Sequence, residues 1–235
     1  MKRILTTLSE KWAEYLLEIL VITIGILGAF ALNSWNENRK ERIFERSILE
    51  QVKIGLEKDI SDLNYNISQH QKSVKAQQKI LNWLQSDDPI VDSLCIDFAA
   101  TNVFTAFVSN DEAFETLKSN GVGILSNDSL KNVLVHLYEN TYDYHDEMEH
   151  IYNEWMLLKL KTIDPSFFDG FFVDSTSPDY EGCQIPTDIK RLKNSTEYRF
   201  HLRNLLEFNT IYIRLMQRCK AEAEGLIYLI NVELE

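Results

Sequence analysis

The segment 12–35, WAEYLLEILVITIGILGAFALNSW, constrains the fold most, because it is long and apolar enough to cross a lipid bilayer. In its central stretch, residues 15–32, Glu18 alone carries a charge near neutral pH. As a helix this stretch is ~27 Å long, close to the hydrocarbon thickness of a membrane. Trp12 and Trp35 at its ends are typical of residues that lie at the two membrane–water interfaces. The sequence therefore predicts a transmembrane helix over 12–35, with these tryptophans as interface anchors.

A cleaved signal peptide is the main alternative, because Lys2 and Arg3 resemble the basic start of one. The apolar run is longer than the core of a signal peptide and contains Glu14 and Glu18. Its A-L-N-S-W end also lacks a small-x-small cleavage pattern. We therefore predict an uncleaved anchor after a short basic tail, 1–11, which leaves 36–235 as one domain outside the lipid.

One face of the predicted transmembrane helix carries both of its carboxylates and both of its glycines. We call it the Glu18 face, and it consists of Glu14, Glu18, Val21, Gly25, Gly28, Ala29 and Leu32. Gly25 and Ala29 form a small-xxx-small pair, which lets helices approach closely in a membrane. A carboxylate two turns into a bilayer costs on the order of a few kcal/mol unless it is protonated, paired or hydrated. The face is therefore expected to contact protein; alternatively both carboxylates reach back to the interface, with Lys11 as the partner of Glu14.

The basic residues that flank the span leave its orientation nearly balanced. Before the span lie Lys2, Arg3 and Lys11, and just after it lie Arg39, Lys40, Arg42 and Arg46. This count tips slightly toward a cytoplasmic C-terminal side. A short basic tail before a long span is also the common arrangement of a signal anchor whose bulk is translocated. We expect a single-pass membrane protein with an extracytoplasmic C-terminal domain.

The composition and the motifs argue against several classes of function. The chain has 235 residues and a formal net charge of −12. Phosphate contacts need a basic surface, so we expect no nucleic-acid partner. The sequence has no glycine-rich phosphate loop, no G-x-S-x-G elbow and no cysteine pair at metal-ligand spacing. We therefore expect no enzyme and no cofactor.

One short motif resembles a metal site. Glu147 and His150 match the Glu-x-x-His pattern of di-iron helical bundles. That chemistry needs a second such pair, which the chain lacks, so an acidic face in solvent is the better interpretation. His136 and His145 are likewise predicted to lie on the surface.

Apolar spacing predicts helices along nearly the whole chain. The first continues from the span to about Gln85, and shorter ones follow over 90–100 and 111–120. A long helix is predicted over 129–162, and a last helix runs from Ser195 almost to the C-terminus. Strand and hairpin signals are absent. The fold class is therefore all-α: one N-terminal transmembrane helix that continues into an elongated antiparallel helical bundle.

Polar residues interrupt the apolar seams of the bundle at a few positions. The predicted seam of the 129–162 helix consists of Leu130, Leu134, Leu137, Thr141, Tyr144, Met148, Ile151, Trp155 and Leu158. The seam of the last helix consists of Tyr198, Leu202, Leu205, Asn209, Tyr212, Met216, Cys219, Ala223, Leu226 and Ile230. His70 and Gln77 lie on the seam of the first helix. Together with Asn209 they are expected to set the register or to pair with each other.

The segment 164–186 is the one long irregular stretch, and long loops in compact domains are usually functional or mobile. It contains Phe167, Phe168, Phe171 and Phe172. These side chains form a partner-docking patch, touch the membrane, or fold back to cap the bundle. Cys183 in this loop could pair with Cys95 in an oxidising compartment, whereas Cys219 on its seam is expected to be a buried free thiol.

Two stretches resemble a known family. The first contains Leu16-Leu17-Glu18, Gly25-Ile26 and Asn33-x-Trp35-Asn36-Glu37. The second is F-E-T-L-K-S-N-G at 114–121, followed by I-L-S-N-D-S-L at 124–130. Both resemble a bacterial family of uncharacterised single-pass membrane proteins, domain of unknown function 6090. The resemblance implies a membrane anchor, here in the bacterial inner (cytoplasmic) membrane, and a helical domain, and it implies no activity.

The sequence thus favours a non-enzymatic, membrane-anchored helical protein. Its expected partners are the lipid bilayer and either a second copy or another membrane protein, for which it would be an accessory or scaffold subunit. One alternative is an extracytoplasmic helical-bundle ligand sensor. Another is a subunit that contributes Glu18 to an ion or proton path.

Overall fold

Helices account for most of the chain, in agreement with the predicted all-α class. The structure is a computed structural model that describes residues 12–173 and 182–235. Its helices are α1 Trp12–Leu84, α2 Leu94–Ala100, α3 Glu112–Asn120, α4 Asp128–His136, α5 Asp143–Leu158, α6 Ile189–Asn194 and α7 Thr196–Leu234. Two π-helical turns, Leu137–Tyr142 and Lys159–Ile163, lie at the two ends of α5, and short 3-10 turns occupy Val122–Ile124 and Asp164–Ser166.

Local capping chemistry sets several of these boundaries. The side chain of Asn127 accepts a hydrogen bond from the backbone N–H of Ser129 at 3.0 Å and so starts α4. Ser195 accepts one from the N–H of Tyr198 at 3.0 Å and starts α7. Gly121, with φ of 92°, follows the last residue of α3, because glycine adopts this conformation without a steric penalty. These three predicted boundaries are confirmed.

The chain divides into two compact units, residues 1–49 and 50–235. The described part of the first unit belongs to α1. An 18-residue window of this helix has a mean hydropathy of 2.3, and none of it is buried. Among the described residues, α1 is the helix that is long and apolar enough to cross a membrane.

The second unit is an antiparallel helical bundle. Lys53 lies near the start of the part of α1 that belongs to this unit. It donates a hydrogen bond to Asn231 near the end of α7, with 2.7 Å between Nζ and Oδ1. At the other end, Lys193, which precedes α7, donates to the backbone oxygen of Ser86, which follows α1. The two helices therefore run in opposite directions. Every residue of the predicted α7 seam is buried, so that seam is confirmed.

The predicted seam of the 129–162 helix is correct for its first half and wrong for its second half. Leu130, Leu134, Leu137 and Thr141 are buried as expected. Tyr144, Ile151 and Leu158 are instead exposed, and Met148 and Trp155 are only half-buried. The buried positions are each one residue later: His145, Tyr152, Met156 and Lys159.

The π-helical turn Leu137–Tyr142 explains this shift of one residue. A π turn inserts one residue into the helical repeat, so every later side chain rotates relative to the α-helical pattern. Both Tyr138 and Tyr142 point into the core as a result. Their rings lie 5.4 Å apart, edge to face. As a result, an apolar line of side chains faces solvent, and the buried line carries a histidine and a lysine.

A small hairpin lies where the sequence shows no strand signal. β1 Phe172–Val173 pairs antiparallel with β2 Gly182–Cys183, and Phe172 lies opposite Cys183. A single antiparallel bridge joins Phe168 to Pro186. The expectation that the chain lacks strands is therefore wrong at this one place among the described residues. Residues 174–181 of the predicted 164–186 loop lie outside the described part.

Gly55 in the interior of α1 marks a close approach to the segment before α3. A Cβ atom at this position would lie 2.8 Å from the backbone oxygen of Asn110. We expect Gly55→Ala to lower the free energy of unfolding by about 1–3 kcal/mol, because one of the two backbones must shift. Gly225→Ala in α7 is the matched control, since its Cβ would meet no atom within 4 Å. The control is expected to gain up to about 1 kcal/mol from helix propensity. Urea unfolding in mild detergent measures both variants, and equal effects would contradict the prediction.

Candidate functional site

The Glu18 face lies on the first part of α1. No other helix packs against that part among the described residues of the first unit. Glu18, Val21, Ala29 and Leu32 are exposed, and Cβ atoms added at Gly25 and Gly28 would meet nothing within 4 Å. Glu14 belongs to α1, but its side chain lies outside the described part of the structure. The tail 1–11, with Lys11, lies outside it as well.

The tryptophans at the two ends of the apolar stretch are both 62% exposed. The guanidinium carbon of Arg39 lies 6.0 Å from the ring centroid of Trp35, a cation–π geometry. Lys40 forms an ion pair with Glu37 at 3.1 Å. The contact of Arg39 with Trp35 and the ion pair of Lys40 with Glu37 are typical of the boundary between lipid and water.

The centre of the second unit is polar. His70 Nδ1 donates to Asn209 Oδ1 at 2.6 Å, because an amide oxygen can only accept. Asn209 Nδ2 in turn donates to Gln77 Oε1 at 3.2 Å, so the predicted pairing of these three residues is confirmed. The hydroxyl of Thr105 lies 2.9 Å from His70 Nε2. Burial lowers the pKa of His70, which favours the neutral ring with its proton on Nδ1.

His145 is fully buried beside this network, so the prediction that it lies on the surface is wrong. Its ring packs against the rings of Phe107 and Tyr212, with centroids 5.1 and 5.2 Å away. Neither ring nitrogen has a hydrogen-bond partner within the described part of the chain. Burial, and then the proximity of His70, lower the pKa of His145 to about 4. Sequence reasoning missed this residue because no side-chain pattern marks a π turn.

Two carboxylates complete the polar centre. Glu149 accepts hydrogen bonds from the backbone N–H of Phe107 and from the hydroxyl of Tyr212, both at 3.0 Å. Asp59 accepts from the backbone N–H and the side-chain amide of Asn110, both at 2.8 Å, and burial raises its pKa. Each acid holds the segment 107–110 against a long helix. The arrangement can fix the register of the bundle and respond to protons.

A disulfide joins Cys95 in α2 to Cys183 in β2, with 4.7 Å between the Cα atoms. The backbone N–H of Gln184 donates to the oxygen of Cys95 at 2.9 Å, so the hairpin is fixed to α2 by two bonds. Cys219 is a buried free thiol, as expected. Burial raises its pKa to about 12, which keeps the thiol protonated and unreactive.

A second buried polar cluster lies at the end of α5. Lys159 and Asp164 form an ion pair at 2.9 Å, and neither is exposed. Asn102 and Gln184 hydrogen-bond to Asp164 from two other segments, at 3.3 and 3.5 Å. Burial lowers the pKa of Lys159, and Asp164 opposes that shift. The predicted seam placed Leu158 here, so this cluster was missed for the same reason as His145.

The four phenylalanines of the 164–186 segment divide into two pairs. Phe167 and Phe168 are buried, and their ring centroids lie 5.6 and 5.8 Å from that of Tyr198. This pair caps the core and is not available to a partner. Phe171 and Phe172 are about half exposed, so docking through this hairpin stays a prediction for these two residues.

Both side chains of the Glu-x-x-His motif, Glu147 and His150, are exposed. His150 is exposed and lies 3.4 Å from Glu154, one turn later, in an ion-pair geometry. Within residues 12–173 and 182–235, no three His, Cys, Asp or Glu side chains come together as metal ligands would.

These features define a class: an all-α protein in which one long, exposed apolar helix precedes a disulfide-linked helical bundle with a polar centre. The chain belongs to the family of unknown function DUF6090, whose model matches residues 18–179. The match begins at Glu18 and ends at residue 179, which belongs to the predicted 164–186 loop. No curated protein and no solved structure matches the chain.

Proposed function

We propose that this chain is a non-enzymatic, single-pass membrane protein that associates through the Glu18 face. The observation that carries the proposal is the exposed apolar surface of α1. Between Leu16 and Leu32 every large aliphatic or aromatic side chain is 48–70% exposed. Monomeric soluble proteins rarely leave a contiguous apolar surface of this length in water, whereas lipid covers it without cost.

The disulfide supports an extracytoplasmic domain. Disulfides persist in oxidising compartments and are rare where glutathione and thioredoxin keep thiols reduced. Cys95 and Cys183 are 88 residues apart in sequence, so their pairing joins distant parts of the domain. The disulfide therefore favours the translocated orientation over the cytoplasmic one that the flanking basic residues slightly favour.

The Glu18 face supports association within the membrane. Gly25 and Gly28 remove side-chain bulk from one side of the helix, and no atom of residues 12–173 and 182–235 fills that space. A second helix can approach there and bring a partner for Glu18, which stabilises a carboxylate in lipid. A second copy of the chain supplies the same small residues and is the first partner to test. A larger membrane protein, with this chain as its accessory subunit, is the second.

One crosslinking experiment tests both orientation and association. The full-length chain is expressed in a bacterial host, and spheroplasts are treated with a lysine crosslinker that cannot cross membranes. We expect a crosslinked dimer or higher oligomer in the membrane fraction that resists alkaline extraction. Gly25→Leu is expected to reduce the crosslinked product several-fold, because the added side chain holds the helices apart.

Thr23→Leu is the matched control, since it adds bulk on the opposite face of the same helix. Its crosslinking should equal that of the wild type. A product that forms only with a membrane-permeant reagent would overturn the orientation and keep the association. Extraction of the protein by alkaline carbonate would overturn the anchor, and equal crosslinking in both leucine variants would overturn the role of the Glu18 face.

A further inference from the structure

Three side chains from two segments meet at the second buried cluster with the chemistry of an amide-forming site. Lys159 Nζ lies 2.5 Å from Asn102 Oδ1 and 2.9 Å from Asp164 Oδ2. The same Asp164 oxygen lies 3.3 Å from Asn102 Nδ2. An amine therefore contacts a carboxamide, and one carboxylate oxygen touches both the amine and the amide nitrogen.

Two of the three side chains are shielded from water, and Asn102 is half-buried. Lys159 is 0% exposed, and the ring centroid of Tyr198 lies 5.9 Å from its Nζ. Asp164 is buried as well, and Phe167 and Phe168 pack against the same tyrosine. A lysine amine without water gives up its proton more readily, and the neutral amine is a nucleophile. Lys159 is thus a buried amine beside a proton acceptor, the Asp164 carboxylate.

The amine nitrogen of Lys159 and the carboxamide carbon of Asn102 lie close together. A C=O bond is about 1.23 Å long, so an amine 2.5 Å from Asn102 Oδ1 lies no more than about 3.7 Å from its Cγ. Reacting atoms in productive complexes are typically about 3–3.5 Å apart. Attack on Cγ requires the Asn102 carboxamide to rotate so that its carbon faces the amine.

We propose that Lys159 and Asn102 join through an intramolecular isopeptide bond, with Asp164 as the proton carrier. Transfer of one proton from the ammonium to Asp164 gives a neutral amine and a carboxylic acid. Nζ then attacks Cγ, and a bond forms between them. Asp164 delivers its proton to Nδ2 and accepts one from Nζ, the bond between Cγ and Nδ2 breaks, and ammonia leaves. The step changes no oxidation state and needs no other reactant.

Gln184 positions the leaving group. Its Oε1 accepts a hydrogen bond from Asn102 Nδ2 at 2.9 Å and directs that nitrogen toward Asp164. Gln184 directly follows Cys183, so the disulfide-linked hairpin brings it to the cluster. The isopeptide bond would be a second covalent link in this part of the bundle. It would join Asn102, two residues after α2, to Lys159, the first residue after α5.

Intact mass spectrometry of the full-length protein in detergent, after reduction and alkylation, is the test. The wild type is expected to be lighter than its expressed sequence by one molecule of ammonia. Trypsin should fail to cut after Lys159, and the fragment that contains it should be joined to the fragment that contains Asn102. Asp164→Ala and Lys159→Met are expected to have the full masses of their sequences. Lys161→Met, which alters an exposed lysine two residues later, should keep the deficit.

The wild-type mass decides the matter without relying on the folding of any variant. The full sequence mass would overturn the proposal. Loss of water in place of ammonia would also overturn it, since the bond would then join Lys159 to Asp164. A deficit of one ammonia that persists in Lys159→Met, with normal cleavage after Lys159 in the wild type, would show cyclisation of an asparagine instead and would overturn the cross-link.

Discussion

Tyr152→Ala is expected to lower the free energy of unfolding by about 3–5 kcal/mol, whereas Ile151→Ala should cost less than about 1 kcal/mol. Tyr152 is 1% exposed and stacks on Tyr212 with 5.5 Å between ring centroids. Its hydroxyl donates to the backbone oxygen of Val103 at 3.1 Å. Ile151 is 40% exposed. Truncating the tyrosine therefore leaves a cavity and an unpaired carbonyl, and truncating the isoleucine leaves neither.

The pair tests the π-helical turn before α5, because an uninterrupted α-helix would bury Ile151 and expose Tyr152. Urea titrations followed by circular dichroism, in the same detergent for both variants, give the two free energies. The opposite order would contradict the register of α5. Equal losses would mean that α5 has no single buried face at this point.

The sequence predicts most of the helical architecture because its signals are local. Asn127 and Ser195 reach backbone N–H groups only two or three residues away, so the starts of α4 and α7 are visible in the sequence. The α7 seam keeps its three-and-four spacing over 33 residues, from Tyr198 to Ile230. The polar trio of His70, Gln77 and Asn209 is predictable because each residue interrupts an otherwise apolar seam.

The register of α5 is not predictable in the same way. The line through Tyr144, Ile151 and Leu158 is apolar and evenly spaced, so it looks like a core seam even though it faces outward. The line that is buried includes His145 and Lys159. The free energy that favours it comes from partners distant in sequence, such as Asn102 for Lys159. A pattern within a single helix contains none of that information.

The hairpin was missed for a related reason. Its strands are two residues long, and its position depends on the Cys95–Cys183 disulfide and on the bridge between Phe168 and Pro186. β propensity has little influence on a strand of this length. The sequence could offer the cysteine pairing as one option, but not the strand register that it holds in place.

Acidification is also expected to have a large effect on the free energy of unfolding. Between pH 6.5 and 4, His145 is expected to reduce the free energy of unfolding by about 2–3 kcal/mol. Its pKa falls to about 4 in the fold, whereas an unfolded histidine titrates near 6.5. The unfolded state therefore binds a proton first as the pH falls. The stabilisation is complete above pH 6.5 and is lost on the way down to pH 4.

The groups around His145 do not remove this effect. Asp146 lies 3.8 Å from Nδ1 but is exposed to water, and Glu149 is occupied by Phe107 and Tyr212. His70 has a lowered pKa of its own and adds to the loss. Burial raises the pKa values of Asp59, Asp62 and Asp146, which opposes the loss because the folded state then binds protons more readily. A comparison with a variant that keeps all these groups is therefore needed.

His145→Phe provides that comparison, since a phenyl ring can pack between the rings of Phe107 and Tyr212 without a titrating group. The free energy of unfolding, measured at steps from pH 7 to pH 4, should fall less in this variant than in the wild type. The difference should grow steadily below pH 6.5. His136→Phe is the control, because His136 is exposed, and its pH profile should follow the wild type. If His145→Phe follows the wild type as well, the buried histidine is charged in the fold or reaches water, and the position assigned to it by the π turn is wrong.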